Sequence, residues 1–312
     1  MDAEKMILEL TKESKSDGVL QSQISEKLKI SKSTVSELIS KLESEKMVVR
    51  KLVSGKAFRV WHVEYAPFPI KGLIRVGILK ASEYPKVVSA VEKLKGILKI
   101  YDSGIELTRD LVSGVVDVAA SPIVTQLYFG ILMKNIKIHR IVAKNGSGVV
   151  FSNAQSDCYG CSEVSTMELN LRRYISKKME KAQIRYFKSP EAMIQAIEEL
   201  RGIAIWEPYF TKLSDRKTER FEDVLGDFVC CSLASNKSFG EENPELLEKF
   251  IAEFDKAKYG REEAKKLAQL IGFEEEIIYK SFENYDFEVE QEVPRDLEVL
   301  TLGRLEEIFS FQ

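Results

Sequence analysis

The chain has 312 residues, of which 44% are hydrophobic and 30% charged, and its formal net charge is -3. This composition is typical of a folded globular protein and excludes a disordered or fibrous chain, and the length is sufficient for two or three hydrophobic cores. The near-neutral charge does not by itself indicate a nucleic-acid partner.

The first residues, MDAEKMILELTKES, interrupt their apolar positions with acidic and lysine side chains. A signal peptide requires a continuous apolar centre, so this pattern predicts none. No apolar run approaches the ~20 residues that a membrane-spanning helix needs. We therefore expect a cytoplasmic protein that has no membrane partner.

The first 65 residues predict three helices followed by a β-hairpin. Apolar residues recur at helical spacing in two segments before residue 29, and Ser31 is suited to cap a third helix that runs to about Glu45. Two β-like runs, Met47 to Val53 and Ala57 to Val63, are joined by a short turn that contains glycine. This order of elements is that of a winged helix-turn-helix, an α+β unit.

The outer face of the predicted third helix carries small polar residues, which allow a helix to approach base edges in the major groove. The stretch ISKSTVSELISKLESEKMVVRK resembles the recognition helix and wing of MarR-like and related archaeal winged-helix regulators. The alternative is a protein-protein module, because serine-rich helix faces are often simply solvated. The predicted DNA contacts are Lys32, Ser33, Thr34, Ser36 and Ser40 on the helix, with Arg50, Lys51, Lys56 and Arg59 on the wing.

Two prolines, Pro67 and Pro69, disfavour both helix and interior strand, and they predict a short stiff linker. We expect a DNA-binding domain over residues 1–66, a linker over 67–72 and a ligand-binding domain over 73–312.

After the linker, apolar strands alternate with helices, which predicts right-handed βαβ units and doubly wound parallel sheets. Two stretches are central, 117–126 (DVAASPIVTQ) and 206–209 (WEPY), because each joins a strand end to a helix start. Ligands of such sheets bind beyond the carboxyl ends of the strands. Plain helix capping is the alternative for each hydroxyl. The predicted ligand contacts are Ser82, Ser121, Ser147, Ser165, Thr166, Trp206 and Glu207.

The phrases LVSGVVDVAASP, VAKNGSG, STMELNLRRYI and IAIWEPY resemble type 2 periplasmic-binding-protein domains of the nitrate, sulfonate, taurine and pyrimidine-precursor branch. The resemblance implies an α/β fold with two lobes that close on a small ligand. Lobe 1 would contain 73–145 and 232–312, and lobe 2 would contain 146–231, with crossovers near Asn145 and Ser232.

The four cysteines occur as Cys158-x-x-Cys161 and as the adjacent pair Cys230 and Cys231. Neighbouring residues of a strand point to opposite faces, so the pair is not expected to reach one site. We expect no metal and no cofactor. A local disulfide, free thiols in a turn, or a metal or redox sensor built on Cys158 and Cys161 are the alternatives.

Together these patterns predict a ligand-responsive transcriptional regulator that binds operator DNA as a homodimer. The expected effector is a small molecule, of which a small anion, a sulfonate and a pyrimidine precursor are candidates. We expect no catalytic residue, because only one side chain, Glu207, is a plausible general acid or base and one carboxylate alone does not define a catalytic site. The alternatives are an enzyme on the same receptor fold, similar to a pyrimidine-precursor synthase or a menaquinone-pathway lyase, and a winged-helix module that binds a protein partner.

Overall fold

The computed structural model describes residues 2–311 and contains three β-sheets. The first unit is formed by three helices packed on a three-stranded antiparallel sheet of order β1-β3-β2. Ser31 caps the third helix, because its Oγ accepts the Thr34 N–H. The elements are α1 (Ala3–Glu13), β1 (Val19–Leu20), α2 (Gln21–Leu28), α3 (Lys32–Ser44), β2 (Val48–Ser54) and β3 (Ala57–His62).

This first unit has its own hydrophobic core, which follows from the helical and alternating periodicities of its sequence. The order of helices and hairpin is the predicted one, and β1 is an additional short strand that pairs with β3. The buried core residues are Ile7, Val19, Ile24, Val35, Ile39, Leu42, Val48 and Val60.

The largest sheet has six strands in the order β14-β7-β13-β6-β4-β5 and forms the centre of lobe 1. Its β4, β5 and β6 run parallel, joined by helices as the alternating sequence predicts, whereas β7 and β13 are antiparallel partners. The strands are β4 (Arg75–Leu79), β5 (Ile97–Tyr101), β6 (Val118–Pro122), β7 (Ile136–Asn145), β13 (Val229–Asn236) and β14 (Tyr285–Asp286). The helices of lobe 1 are α4 (Pro85–Leu94), α5 (Gly104–Val112), α6 (Ile123–Met133), α11 (Lys237–Glu242), α12 (Pro244–Lys256), α13 (Arg261–Ile271) and α14 (Glu275–Ser281).

Lobe 2 contains a five-stranded sheet of order β10-β9-β11-β8-β12. Its β9, β10 and β11 are parallel, and β8 pairs antiparallel with both β11 and β12. The strands are β8 (Ser147–Phe151), β9 (Cys158–Ser162), β10 (Gln183–Phe187), β11 (Gly202–Trp206) and β12 (Thr218–Arg220). The helices are α7 (Thr166–Lys177), α8 (Pro190–Gln195), α9 (Tyr209–Lys212) and α10 (Phe221–Leu225). No helix within residues 2–311 has the length and apolar character that crossing a membrane requires.

Two crossovers join the lobes, and one of them lies elsewhere than expected. The first passes through Gly146. Its positive φ of 77° favours glycine, and an added Cβ would clash with the Tyr285 ring. The second precedes Val229, where β13 begins, and not Ser232, which lies inside that strand. Strand β13 starts earlier because Cys231 already pairs with both β6 and β7.

A buried arginine at the start of β4 holds the segment between the first unit and lobe 1 in place. The Arg75 guanidinium forms a bidentate pair with Asp117, whose carboxylate oxygens accept from Nη2 at 2.7 Å and from Nε at 2.9 Å. The same guanidinium donates to the carbonyl oxygens of Val63, Ala66 and Phe68 in the linker region. Arg75 therefore fixes the linker to the lobe 1 sheet, although it lies inside an apolar run, IRVGIL.

Side chains of the first unit and of lobe 1 also pack on the linker from both sides. The Trp61 and Phe68 rings meet edge to face at 5.0 Å, and Lys51 Nζ lies 3.6 Å from the centre of the Phe68 ring. Lys99 of lobe 1 donates to the carbonyl oxygen of Glu64 at 3.2 Å. The linker is thus an ordered element of the structure.

Replacing Arg75 by methionine should destabilise the protein by about 3–5 kcal/mol, because the substitution leaves Asp117 buried without a counter-charge. Urea unfolding followed by circular dichroism measures the loss. The matched control is Arg185→Met, since the Arg185–Glu199 pair is exposed and an exposed pair is worth about 0–1 kcal/mol. Equal losses in the two variants would contradict the role assigned to Arg75.

A histidine of β7 ties the C-terminal segment to the lobe 1 sheet. The His139 ring nitrogens lie 2.8 Å from Ser235 Oγ and 3.0 Å from Ser310 Oγ. Burial lowers the pKa of His139 to about 4, with smaller contributions from Arg140 and Lys137. The imidazole is therefore neutral in the folded protein under conditions in which the unfolded chain binds a proton.

His139→Gln should reduce the acid sensitivity of the fold. Between pH ~6.5 and about 4 the unfolded chain holds the proton that folded His139 excludes, so wild-type stability falls as the pH falls through this window. Denaturant unfolding of both proteins at pH 7.5 and pH 5 tests this expectation, and the variant should gain relative to wild type at pH 5. A difference that is the same at both pH values would contradict it.

Candidate functional site

A cavity of about 580 Å³ lies between the two lobes and is of the size that small-molecule sites have. Lobe 1 supplies the loops that follow β4 and β5 together with the start of β13. Lobe 2 supplies the loops that follow β9, β10 and β11. The lining residues used below are Glu83, Ser103, Gly104, Arg109, Met167, Phe187, Lys188, Cys230 and Cys231, together with Ser165, Thr166 and Trp206.

Two helices, one from each lobe, begin at the cavity. Ser103 caps α5 and Ser165 caps α7, each by accepting a backbone N–H with its hydroxyl oxygen. The free N–H groups and the positive dipole end of each helix favour an anionic group at its start. Arg109 and Lys188 add positive charge to the lining.

The apolar part of the lining comes mainly from lobe 2. Trp206, the last residue of β11, is half-buried, and its Nε1 donates to the Lys80 carbonyl oxygen at 3.4 Å. Phe187 and Met167 lie in the same lining. An aromatic wall of this kind suits a flat or apolar portion of a ligand.

Glu83, Cys230 and Cys231 meet at the buried side of the cavity. Cys231 Sγ donates to Glu83 Oε1 at 2.7 Å and lies 3.9 Å from Cys230 Sγ. The second carboxylate oxygen of Glu83, Oε2, is buried and has no hydrogen-bond partner in the structure. Burial raises the pKa of the Glu83 carboxyl and raises that of the Cys231 thiol well above its usual range.

The prediction that Cys230 and Cys231 cannot reach one site is wrong, and the reason is a β-bulge. Val229 pairs with Lys144 and Cys231 pairs with the next residue, Ala143, so Cys230 is an extra residue in β13. A bulge breaks the strict alternation of side chains. Both thiols can therefore line the same cavity.

Contacts between the lobes border the cavity. Lys80 of lobe 1 pairs with Glu191 of lobe 2 at 2.7 Å. Thr166 Oγ1 donates to the Cys230 carbonyl oxygen at 2.9 Å. These contacts are made in the arrangement of lobes that the structure describes, and a hinge motion would break them.

Three of the seven residues predicted to contact a ligand, Ser165, Thr166 and Trp206, line the cavity. The other four are buried elsewhere. Ser82 Oγ accepts from Ser281 at 2.7 Å beneath the C-terminal helices. Ser147, the first residue of β8, has a buried hydroxyl without a hydrogen-bond partner in the part of the chain that the structure describes.

Ser121 lies inside the sheet, because β6 continues to Pro122 and pairs with β13 along its length. Its hydroxyl accepts from Gln126 Nε2 at 2.9 Å, and Gln126 also donates to the Ser232 carbonyl oxygen. Most of the stretch 117–126 thus serves the packing of lobe 1.

Glu207 is buried and points away from the cavity lining. Its carboxylate accepts from the Thr211 N–H and hydroxyl, both at 2.9 Å, and from Asn284. Burial raises the pKa of Glu207, and these hydrogen bonds partly oppose the shift. The role of Glu207 in this structure is to join the start of α9 to the C-terminal segment.

The cavity residues that the sequence interpretation missed had weak signals. Ser103-Gly104 and Lys188-Ser189-Pro190 are helix starts after strands, which capping patterns can identify. Glu83 and the two thiols could not be assigned, because their meeting depends on the bulge and on how the lobes pack.

Cys158 and Cys161 lie in β9 and not in a turn, and they are free thiols. Residues three apart in a strand point to opposite faces, and the two side chains pack in different hydrophobic clusters. They therefore share neither a disulfide nor a metal site in this structure.

The residues predicted to contact DNA lie on α3 and on the hairpin of β2 and β3. Lys32, Ser33, Thr34 and Ser40 are exposed on α3, and Ser36 is half-buried. Lys32 and Lys56 line a common depression between α3 and the tip of the hairpin.

The remaining wing residues are partly engaged within the protein. Arg50 pairs with Glu43 at 3.0 Å, Arg59 donates to the Asp17 carbonyl oxygen, and Lys51 covers the Phe68 ring. Lys56, at the hairpin turn, is exposed.

The two lobes and the cavity between them define a type 2 periplasmic-binding-protein-like fold, as the sequence resemblance implied. Solved structures of that kind match with TM-scores above 0.5 but low identity. The ligand-binding component of an ABC-type import system from Staphylococcus aureus, solved with zinc bound, has a TM-score of 0.63 at 16% identity, covering 74% of this chain and 91% of its own.

Two further structures are similar. The alkanesulfonate-binding protein SsuA from Xanthomonas axonopodis pv. citri, bound to MOPS, has a TM-score of 0.60 at 15% identity, covering 75% of this chain and 91% of its own. The periplasmic nitrate-binding protein NrtA from Synechocystis has a TM-score of 0.60 at 13% identity, covering 70% of this chain and 72% of its own. No protein-family model and no curated protein matches the chain.

The burial of the thiols gives a direct prediction. The native protein should show one fast-reacting thiol per chain, Cys158, because it is half-buried whereas the other three are buried. Absorbance on addition of a bulky aromatic disulfide measures the count, which should rise to four after unfolding. Cys158→Ser should have no fast thiol, and any fast thiol in this variant would place another cysteine at the surface.

Proposed function

We propose that this protein is a ligand-responsive transcriptional regulator, in which the first unit is a winged helix-turn-helix and the cavity between the lobes binds the effector. The observation that carries the proposal is the attachment of a helix-and-hairpin unit to a two-lobed receptor through an ordered linker. Such a function requires the chain to be in the compartment that holds DNA.

The exposed start of α3 supports DNA binding. Small hydroxyl side chains there leave room for the helix in the major groove, and Lys32 and Lys56 flank one depression. Lys32, at the start of α3, and Lys56, at the hairpin turn, would each contact a phosphate beside the groove. Arg50, Lys51 and Arg59 would have to exchange their internal contacts for phosphate oxygens on binding.

The ordered linker supports transmission of a signal between the cavity and the first unit. Asp117, which holds Arg75, precedes β6, and β6 pairs with the strand that carries Cys231 at the cavity. A change in the lobe arrangement would therefore reach the carbonyl oxygens of the linker through one sheet. Signalling requires that the effector bind one arrangement more tightly than the other.

A homodimer fits this function, because paired units read two half-sites on DNA. A mostly apolar surface groove near the end of α6 supports such an interface. Tyr128, Leu132 and Leu300 line it, and the Leu132 side chain is 77% exposed.

The cavity favours a small ligand with a flat or apolar part and one anionic group. The apolar part would lie against Trp206, and the anionic group would lie near the starts of α5 and α7. Asp102, Glu106 and Glu163 also line the cavity and disfavour a polyanion. Sulfonates, nitrate and pyrimidine precursors are the first compounds to test, because two of the similar structures are described as alkanesulfonate- and nitrate-binding proteins.

We propose binding and not catalysis for this cavity. Glu207, the carboxylate that the sequence offered as a general acid or base, is held by three hydrogen bonds away from the lining. Binding to a protein partner is the second candidate for the first unit, because the hairpin exposes the apolar side chains Leu52, Val53 and Phe58.

Fluorescence anisotropy with a DNA fragment from the protein's own promoter tests the DNA-binding role. We expect salt-dependent binding, and Lys32→Ala and Lys56→Ala should each lower the salt slope by about 1 if the side chain contacts one phosphate. Lys181→Ala, an exposed lysine of lobe 2, is the control and should bind as wild type does. The absence of DNA binding even at low salt would reject this role and favour the protein partner.

Tryptophan fluorescence tests the effector site, since the chain has two tryptophans. In Trp61→Phe the emission reports on Trp206 in the cavity, and in Trp206→Phe it reports on Trp61 beside the linker. A true effector should change the first signal and shift DNA affinity about 5–150-fold, the usual range of coupling between sites. A ligand that changes the Trp206 signal and leaves DNA affinity unaltered would reject the coupling.

A further inference from the structure

We propose that Glu83, Cys230 and Cys231 form a binding site for a thiophilic divalent cation, with zinc as the expected metal. The site lies at the buried side of the cavity and involves neither the first unit nor DNA. In residues 2–311 these three form the one group of histidine, cysteine and carboxylate ligands that lies close enough together to hold an ion.

The spacing of the two thiols fits tetrahedral coordination. Zinc–sulfur bonds of about 2.3 Å at a tetrahedral angle place two sulfurs ~3.8 Å apart. Cys230 Sγ and Cys231 Sγ are 3.9 Å apart, and the three ligand atoms lie within 4.8 Å of one another. The bulge at Cys230 thus creates a pair of sulfur ligands that a regular strand would not provide.

Glu83 supplies the third ligand. Its carboxylate is also an independent indication that a cation binds here. Its Oε2 is fully buried, has no hydrogen-bond partner among residues 2–311 and belongs to a side chain that lines the cavity. A buried carboxylate oxygen without a partner is costly, and a cation satisfies it. The Cys231 thiol proton now bridges to Glu83 Oε1, and a metal would take the place of that proton.

Binding exchanges protons for the metal in a balanced way. The two thiol protons, and the carboxyl proton where it is present, leave to solvent as two Zn–S bonds and one Zn–O bond form. The carboxylate oxygen must move from 2.7 Å to about 3.5 Å from Cys231 Sγ, which a rotation of the Glu83 side chain achieves. Tyr84 Oη lies 3.3 Å from Cys231 Sγ and can donate to the thiolate.

Three protein ligands leave one coordination position, which faces the cavity. A zinc ion with three protein ligands and an open position binds water or a ligand group there. The ion would therefore add a positive charge on the lobe 1 side of a cavity that already has the helix starts of α5 and α7. An oxyanion, thiol or heterocyclic nitrogen of the effector could complete the coordination.

Metal titration of the reduced full-length protein tests the site without DNA or effector. After equilibration with zinc and gel filtration, elemental analysis should give one zinc per chain. Cobalt should give a thiolate-to-cobalt charge-transfer band in the near ultraviolet, which needs no variant to interpret. Competition with a chromophoric chelator then gives the affinity of each variant.

Cys230→Ser and Cys231→Ser should each weaken zinc binding by more than the ~10–100-fold that loss of an outer partner causes. Glu83→Gln should weaken it as well, while Cys158→Ser is the matched control and should bind as wild type does. Thermal unfolding verifies that each variant is folded. Wild-type protein without stoichiometric zinc and without the cobalt band, or full binding by the folded Cys230→Ser/Cys231→Ser double variant, would overturn the proposal.

Discussion

The buried ion pair between Arg75 and Asp117 is the constraint on which the arrangement of the whole chain depends. It connects β4 to the start of β6 in the lobe 1 sheet, and it holds the carbonyl oxygens of Val63, Ala66 and Phe68 between β3 and β4. An arginine in an apolar interior is stable only when its charge and its donors are satisfied, and here each guanidinium nitrogen has an acceptor. The same side chain therefore stabilises the lobe 1 sheet and contributes to the position of the first unit.

The cavity combines features of different origin. The helix starts of α5 and α7 come from backbone geometry that the fold supplies in both lobes, whereas the thiols of Cys230 and Cys231 depend on one irregular pairing in β13. The first kind of feature favours anions in general, and the second kind adds thiophilic ligand atoms to one side of the cavity. Selectivity for a ligand would accordingly come from the β13 side and from Trp206.

Periodicity and capping predicted much of the fold, because they reflect local physics. The Ser31 cap, the hairpin and the alternation of strands and helices after the linker all follow from short-range preferences. The site was predicted less well. Ser165 and Trp206 lie at the cavity because their strands end there, but Ser121 does not, since the length of β6 is set by its partner β13. The role of Arg75 could not be predicted, because the apolar residues around it indicate only a buried strand. A bulge has no reliable sequence signal.

The return of the chain to lobe 1 has a consequence for synthesis on the ribosome. Strand β13 lies between β6 and β7 in the sheet, yet it is made after all of lobe 2. The first unit and lobe 2 are each formed by one continuous stretch of sequence, so each can fold as it emerges. The lobe 1 sheet stays incomplete until Val229–Asn236 is available. Non-local pairing of this kind is slow to form. A nascent chain would thus complete the first unit and lobe 2 well before the lobe 1 sheet, and Val229–Asn236 determines when the cavity between the lobes can form.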